Sequence, residues 1–87
     1  MPVAAVFEFP RDAIDAYDKN LELHGDVLLN QPGRRSHVCF ETDDGYMVVD
    51  IWDSLEAFEE FGKVLADVAA DFGHPADLRI RNVHRII

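Results

Sequence analysis

Two residues that could take part in chemistry lie in one apolar run, residues 46–52. Asp50 is the only charged residue of the run, and Trp52 is the only tryptophan of the 87-residue chain. A buried carboxylate needs a partner. Asp50 therefore either orients His37 or a substrate hydroxyl, or pairs with an arginine of the last strand or of a partner chain, and the structural pairing is favoured. Trp52 either stacks on a flat aromatic substrate or packs in a core or interface.

Histidines are the other groups able to move protons near neutral pH. His84 and Asn82 share a strand face with apolar residues, and we expect both to point into the core beneath the helices. His84 there is either the general base, with His37 as second choice, or simply hydrogen-bonded in place. The spacing of His24, His37, His74 and His84 matches no metal-binding motif, so no metal site is predicted.

The charge balance excludes several kinds of partner. A net charge of −9 and a pI near 4.6 argue against nucleic acid and against an anionic membrane surface. No apolar run approaches the roughly 20 residues of a membrane span, and the amino terminus lacks the basic region of a signal peptide. The single cysteine, Cys39, excludes an internal disulfide and fits a reducing cytoplasm. We expect a cytoplasmic protein in which Cys39 is a small buried residue.

The elements that must position these groups follow from the apolar periodicity. The pattern predicts strands over 3–9, 35–41, 46–52 and 78–87, with helices from Asp12 and over 54–72. In the first helix, Tyr17 belongs to the apolar stripe, and Gly25 either stops or kinks the helix. The second helix begins with Asp53 as N-cap and Glu56 completing a capping box, or with Ser54 one residue later. Phe61 lies on its buried stripe, and Gly73 and Pro75 end it after Phe72.

The sequence Asp43-Asp44-Gly45 predicts a β-hairpin, because Asp-Gly suits a type I′ turn. With Asp44-Gly45 as the loop, Cys39 pairs with Asp50 and His37 pairs with Trp52. This register gives one wholly apolar face, which contains Val38, Phe40, Met47, Val49 and Ile51. It places Trp52 on the other face, away from the helices, although twist at the end of the strand could turn the indole either way, so both orientations stay open.

The order β-α-β-β-α-β predicts a single α+β domain over residues 1–87 with the ferredoxin-like fold. Right-handed crossovers place both helices on one face of a four-stranded antiparallel sheet. The first and third strands are apolar on both faces, so the second face also needs a cover. We expect a homodimer in which two such sheets pack face to face as an α+β barrel.

At this point the chain resembles the dimeric α+β-barrel superfamily and, within it, the antibiotic-biosynthesis-monooxygenase-like group. The strand-to-helix junction 49–58 is similar to that group's W-x-S-x-E-A-F pattern, with Trp52, Ser54 and Phe58 at the matching positions. The group includes cofactor-independent monooxygenases of polycyclic phenols and anthrones, quinol monooxygenases and haem-degrading enzymes. The haem-degrading branch uses an asparagine on the first strand and a histidine on the second helix. Here the first strand offers Glu8, and only Trp52 matches, so the resemblance does not favour haem.

The resemblance implies a pocket for an apolar, aromatic small molecule and oxidation of a phenol or quinol by dioxygen without a cofactor. The expected catalytic residues are His84, Trp52 and Asn82. The expected substrate-binding residues are Trp52, Phe40, Tyr17, Phe61, His37 and Asp50. The alternative is a non-catalytic dimeric module that binds a ligand or serves in assembly.

Overall fold

The computed structural model describes residues 1–68 and 77–87. Its elements are β1 (Val3–Pro10), a 3₁₀ turn (Arg11–Ala13), α1 (Ile14–Leu29), β2 (Arg34–Glu41), β3 (Gly45–Trp52), α2 (Leu55–Val68) and β4 (Asp77–Asn82). The four strands form one sheet in the order β2-β3-β1-β4, and each neighbouring pair is antiparallel. This is the predicted α+β ferredoxin-like fold. The predicted end of the second helix, at Phe72 with Gly73 and Pro75, lies outside the described residues.

Both helices pack on the same face of the sheet. Near one end, Val3, Ala5 and Trp52 form a buried cluster with helix residues. The helix residues of this cluster are Leu21, Leu28, Ala57, Phe58, Phe61 and Leu65. Near the other end, Phe9, Ala13 and Val48 are buried against Ile14, Tyr17 and Cys39. Both clusters together define the helix-covered face.

The structure decides the orientation of Trp52, which the sequence left open. Trp52 and Asp50 belong to the helix-covered face and are 0% and 1% exposed. Their partners on β1 are small residues: Val3 pairs with Trp52, and Ala5 pairs with Asp50. The small residues leave room beneath the helices for the indole and the carboxylate. The wholly apolar hairpin face is therefore the one that this chain leaves uncovered, and Val38 and Phe40 on it are 53% and 43% exposed.

The hairpin register differs from the predicted one by two residues. Cys39 pairs with Val48, and His37 pairs with Asp50 instead of Trp52. The Thr42 amide donates to the Gly45 carbonyl at 2.8 Å, so the loop is Asp43-Asp44. Among the described residues only Gly33 has a positive φ, which rules out a type I′ turn here. The two-residue shift leaves every side chain on its predicted face, because strand side chains alternate with period two.

Gly45 is needed for close packing and not for the turn. It begins β3 opposite Pro10, and a Cβ on it would lie 2.4 Å from the carbonyl oxygen of Phe9. Only a residue without a side chain lets the two backbones approach so closely. The sequence therefore indicated correctly that a glycine is required at position 45, but the reason is the close approach of two backbones and not the turn conformation.

The helix starts and the last strand also differ from the predictions. Asp12 does not cap the first helix; α1 follows the 3₁₀ turn with Ala13 as N-cap and no side-chain cap, and it is kinked at His24. For α2 the cap is the later alternative, since Ser54 Oγ accepts a hydrogen bond from the Ala57 amide at 3.2 Å. β4 ends at Asn82 instead of residue 87, because its β1 partner begins at Val3.

None of the helices among the described residues is long and apolar enough to cross a membrane.

Candidate active site

His37 and Asp50 form the centre of the candidate site on the helix-covered face. They are direct partners across β2 and β3, and His37 Nδ1 lies 2.5 Å from Asp50 Oδ1. The Asp50 side chain is 2% exposed and the His37 side chain is 23% exposed. An ionised carboxylate can only accept, so Nδ1 carries the ring proton and Nε2 is left as an acceptor. The pair therefore has the arrangement of a general base held by a buried carboxylate.

Tyr17 of α1 makes the third contact. Its hydroxyl lies 2.6 Å from His37 Nε2, and with the tautomer set by Asp50 it donates this hydrogen bond. The two ring planes are nearly parallel, with an interplanar angle of 8° and centroids 6.1 Å apart. Burial raises the pKa of Tyr17, and the neighbouring Cys39 and Asp50 raise it further. Tyr17 is thus kept as a neutral phenol, able to donate to the imidazole.

Cys39 of β2 lies next to this chain of hydrogen bonds. It lies on the same face as His37 and packs against the cluster of Phe9 and Val48. Burial raises the pKa of the Cys39 thiol, and the neighbouring Tyr17 hydroxyl partly opposes this rise. A thiol with a raised pKa is a poor nucleophile at neutral pH. Cys39 is therefore a packed residue and not a nucleophile, but it is only partly buried, where a buried residue was expected.

Trp52 occupies the next row of the same face. Its indole packs against Phe61, with ring centroids 5.0 Å apart, and edge-on against Phe58 at 6.0 Å. The Arg34 guanidinium lies 5.8 Å from the centroids of both Trp52 and Phe61 and donates to the Leu28 carbonyl at 2.5 Å. Trp52 Nε1 is buried and has no hydrogen-bond partner among the described residues. A buried donor without an acceptor is rare and costly.

The predicted site residues divide into three groups. The structure brings together Tyr17, His37 and Asp50, and it packs Phe61 on Trp52. Phe40 lies on the opposite, uncovered face of the sheet, because it alternates with Cys39 along β2.

His84 and Asn82 form the third group, at the far end of the sheet. The expectation that they point into the core is wrong, since both are exposed. Asn82 ends β4, and His84 follows it, where β1 offers no further strand partner.

Arg34 is the residue that sequence reasoning missed. It pairs with Trp52 in the β2–β3 register, next to an irregularity between Arg34 and Ser36. The pairing of His37 with Asp50, by contrast, could have been predicted from the sequence, because a hairpin loop at Asp43-Asp44 places these two residues opposite each other. The contact of Arg34 with the indole depends on the irregularity, which has no sequence signature.

A groove of about 440 Å³ opens at the hairpin end of the sheet. It is lined by Phe9 and Tyr46 together with Glu8, Pro10 and residues 42–45. Phe9 stacks on both Tyr46 and Tyr17, with centroid distances of 6.0 and 5.8 Å. Phe9 therefore contacts both the groove and the outer end of the Tyr17–His37–Asp50 chain.

No group of three or more histidine, cysteine, aspartate or glutamate side chains able to hold a metal ion occurs within residues 1–68 and 77–87.

The sheet order, the two helices on one face and the buried polar groups beneath them define the class of fold. The chain has the fold of the antibiotic-biosynthesis-monooxygenase-like proteins of the dimeric α+β-barrel superfamily, as its junction sequence predicts. No family model matches the sequence, and no curated protein does either.

Three solved structures illustrate the likeness. A proposed monooxygenase from Shewanella loihica PV-4 is 25% identical, with a TM-score of 0.68 over 98% of this chain and 96% of the other. SnoaB, a cofactor-independent oxygenase from Streptomyces nogalater, is 12% identical, with a TM-score of 0.64 over 99% and 94%. The haem degrader MhuD from Mycobacterium tuberculosis is 24% identical, with a TM-score of 0.62 over 100% and 99%.

The residues of this chain do not fit haem in the way the family resemblance implies. The described helix α2, Leu55–Val68, contains no histidine, and β1 carries Glu8 and no asparagine. No step of the chemistry below is routed through haem.

Proposed function

We propose that this protein is a cofactor-independent oxygenase of phenols or quinols, and that His37, oriented by Asp50, is its general base. The observation that carries the proposal is the hydrogen bond between His37 Nε2 and a phenol hydroxyl, that of Tyr17. A substrate phenol has the same donor group and would make the same contact in its place. The fold shared with oxygenases supports the reaction class.

The chemistry then follows from the pair. His37 Nε2 takes the proton of the substrate hydroxyl, and the resulting imidazolium is stabilised by the Asp50 carboxylate 2.5 Å from Nδ1. The phenolate or enolate that remains is electron-rich and reacts with dioxygen itself. When a ring CH₂ becomes a carbonyl, one oxygen atom enters the product and the other leaves as water. The substrate supplies all four electrons, so the balance requires no cofactor.

Trp52 is the proposed second contact with the substrate. Its buried Nε1–H has no acceptor within residues 1–68 and 77–87, and a carbonyl or phenolate oxygen of a ligand would satisfy it. His37 pairs with Asp50, which lies two residues before Trp52 on the same face of β3, so His37 and Trp52 are on adjacent strands and in successive rows of that face. A substrate that contacts both needs oxygen atoms on opposite edges, as in a fused aromatic ring system.

The test is dioxygen uptake with a panel of anthrones and quinols, combined with product analysis. We expect turnover by the wild type and a loss of about a hundredfold or more in His37→Gln, with the fold retained in circular dichroism. His84→Gln is the informative comparison, because an exposed residue beyond β4 should have no effect. Loss of turnover in His84→Gln with full activity in His37→Gln would contradict the assignment of the base.

The second candidate function is a non-catalytic module that binds a ligand. It is favoured by the fact that the Tyr17 hydroxyl already occupies His37 Nε2, so that the base is not free to take a proton from a substrate. Quenching of Trp52 fluorescence separates the two functions. Saturable quenching by a phenol with no dioxygen uptake would support binding alone.

We propose further that residues 1–87 form one domain that acts as a cytoplasmic homodimer, joined through the uncovered face of the sheet. Val38 and Phe40 on this face are large, apolar and about half exposed. A second copy of the same face would bury them, which favours association. The single, free Cys39 supports a reducing compartment.

A further inference from the structure

The hydrogen-bond chain on the helix-covered face has a property that the proposed oxygenation does not use. Tyr17, His37 and Asp50 are in line, with O···N and N···O distances of 2.6 and 2.5 Å. In the resting protein the phenol is the outermost member and is half-buried, while the carboxylate is buried. Such a chain joins an oxidisable ring to a proton acceptor that is itself held by a negative charge.

We propose that Tyr17 is a redox-active tyrosine, which gives one electron to an oxidant of the peroxyl-radical class while its phenol proton passes to His37. The inference concerns the protein without substrate, and it does not depend on the oxygenase function proposed above.

The step balances without a cofactor. The O–H bond of Tyr17 breaks, the proton forms an N–H bond at His37 Nε2, and the electron reduces the peroxyl radical to a peroxide anion, which takes a proton from water. Tyr17 is left as a neutral phenoxyl radical beside the imidazolium–carboxylate pair of His37 and Asp50. An external one-electron reductant such as ascorbate reverses the step, and the proton returns from Nε2 to the phenol oxygen.

Two features make Tyr17 better suited than an isolated tyrosine. Removing an electron from a phenol leaves a strongly acidic radical cation, so a base already in hydrogen-bond contact lowers the free energy of the step. Asp50 stabilises the proton on the imidazole by direct charge pairing in a site of low dielectric.

The hairpin groove offers a small oxidant access to this tyrosine. Phe9 and Tyr46 line the groove, and Phe9 stacks on Tyr17 with centroids 5.8 Å apart. Electron transfer over one ring is fast, so the oxidant need not enter the core. Tyr46 is the matched control, because it also stacks on Phe9 and has no histidine contact among the described residues.

The experiment is rapid one-electron oxidation of the full chain by photogenerated ruthenium(III) polypyridine, with the tyrosyl radical followed by absorbance and electron paramagnetic resonance. We expect a fast phase that is present in Tyr46→Phe and absent in Tyr17→Phe. The fast phase should slow by about tenfold or more in His37→Gln, and it should show a solvent deuterium isotope effect. Radical yield on Tyr17 should also rise with peroxyl radicals generated from a water-soluble azo initiator.

Equal oxidation rates in the Tyr17→Phe and Tyr46→Phe variants would overturn the proposal. So would a rate in the wild type that is unchanged in deuterated water. The isotope effect is measured on the wild type, so the proposal remains testable if His37→Gln does not fold. A radical without dioxygen uptake would refute the oxygenase alone, and uptake without a radical would refute the redox tyrosine alone.

Discussion

His37 and Asp50 face each other across β2 and β3, and the imidazole Nδ1 lies 2.5 Å from a carboxylate oxygen beneath the helices. Asp50 is the one buried charged residue among those described, with 1% of its surface exposed. A buried carboxylate that loses its partner keeps its full desolvation cost. The pair is therefore both the chemical centre of the proposed site and a structural constraint on the sheet.

Removing the imidazole tests this constraint. His37→Ala leaves the Asp50 carboxylate buried without its partner, and we expect the free energy of unfolding to fall by about 3 kcal/mol. Glu41→Ala is the matched control, since Glu41 forms an ion pair with Arg11 at 2.6 Å on the surface, with both side chains more than half exposed. Its loss should cost at most about 1 kcal/mol. Urea unfolding measures the free energy of unfolding of both variants. Equal losses would mean that the buried pair stabilises the fold no more than the surface pair does.

The ionisation of Tyr17 gives the second prediction. Its pKa is raised by burial above the ordinary 10.0, so at higher pH the unfolded chain releases the phenol proton while the folded protein retains it. The free energy of unfolding should therefore be insensitive to this group below pH 10 and should fall as the pH rises above it. Because the ring is only half-buried, the slope stays below the limit of about 1.4 kcal/mol per pH unit.

Urea unfolding at about pH 9 and about pH 11 measures the slope. Tyr17→Phe should flatten it relative to the wild type. The tyrosinate absorbance that disappears in Tyr17→Phe, taken as a difference spectrum, should develop only above the ordinary range. A difference spectrum that develops at pH 10 would show that Tyr17 is not shielded.

The close approach at Gly45 gives the third prediction. A Cβ there would lie 2.4 Å from the carbonyl oxygen of Phe9, which is backbone and cannot turn aside. We expect Gly45→Ala to destabilise the protein by about 2 kcal/mol or more. Gly62→Ala in α2 is the control, because a Cβ there meets nothing within 4 Å. Helix propensity should make it stabilising by up to about 1 kcal/mol.

Thermal or urea unfolding of the two alanine variants checks the opposite signs. A neutral Gly45→Ala would mean that β1 and the hairpin separate at no cost, and that the hairpin groove is adaptable.

The uncovered sheet face gives the fourth prediction. Val38→Asp places a charge in the centre of the proposed dimer contact, and burying it there without a partner is costly. We expect the variant to sediment as a monomer at micromolar concentration while the wild type sediments as a dimer. Leu29→Asp is the control, since Leu29 is 61% exposed at the end of α1 and away from this face. A wild type that is already monomeric would refute the homodimer.

The order of the elements and the fold could be predicted from the sequence because they depend on local periodicity. The observed bounds of β1, β2 and β3 lie within one residue of the predicted ones. The predicted division of the hairpin side chains between two faces was also correct despite a register error of two residues. Side chains alternate along a strand, so a shift of two residues keeps each one on its face. The fold class and its resemblance to the monooxygenase-like group followed from these features.

The face that the helices cover, the partner of Asp50 and the contact of Tyr17 depend on the tertiary structure. Both hairpin faces are apolar enough to be buried, so composition did not decide between them. Two features of the tertiary structure determine which face the helices cover. One is the handedness of the chain crossover. The other is the pair of small residues, Val3 and Ala5, that lie opposite Trp52 and Asp50. The hydrogen bond from Tyr17 to His37 joins α1 to an edge strand 20 residues further along the chain. Local sequence rules contain no term for a contact of this kind, and only the packing of α1 on the sheet creates it.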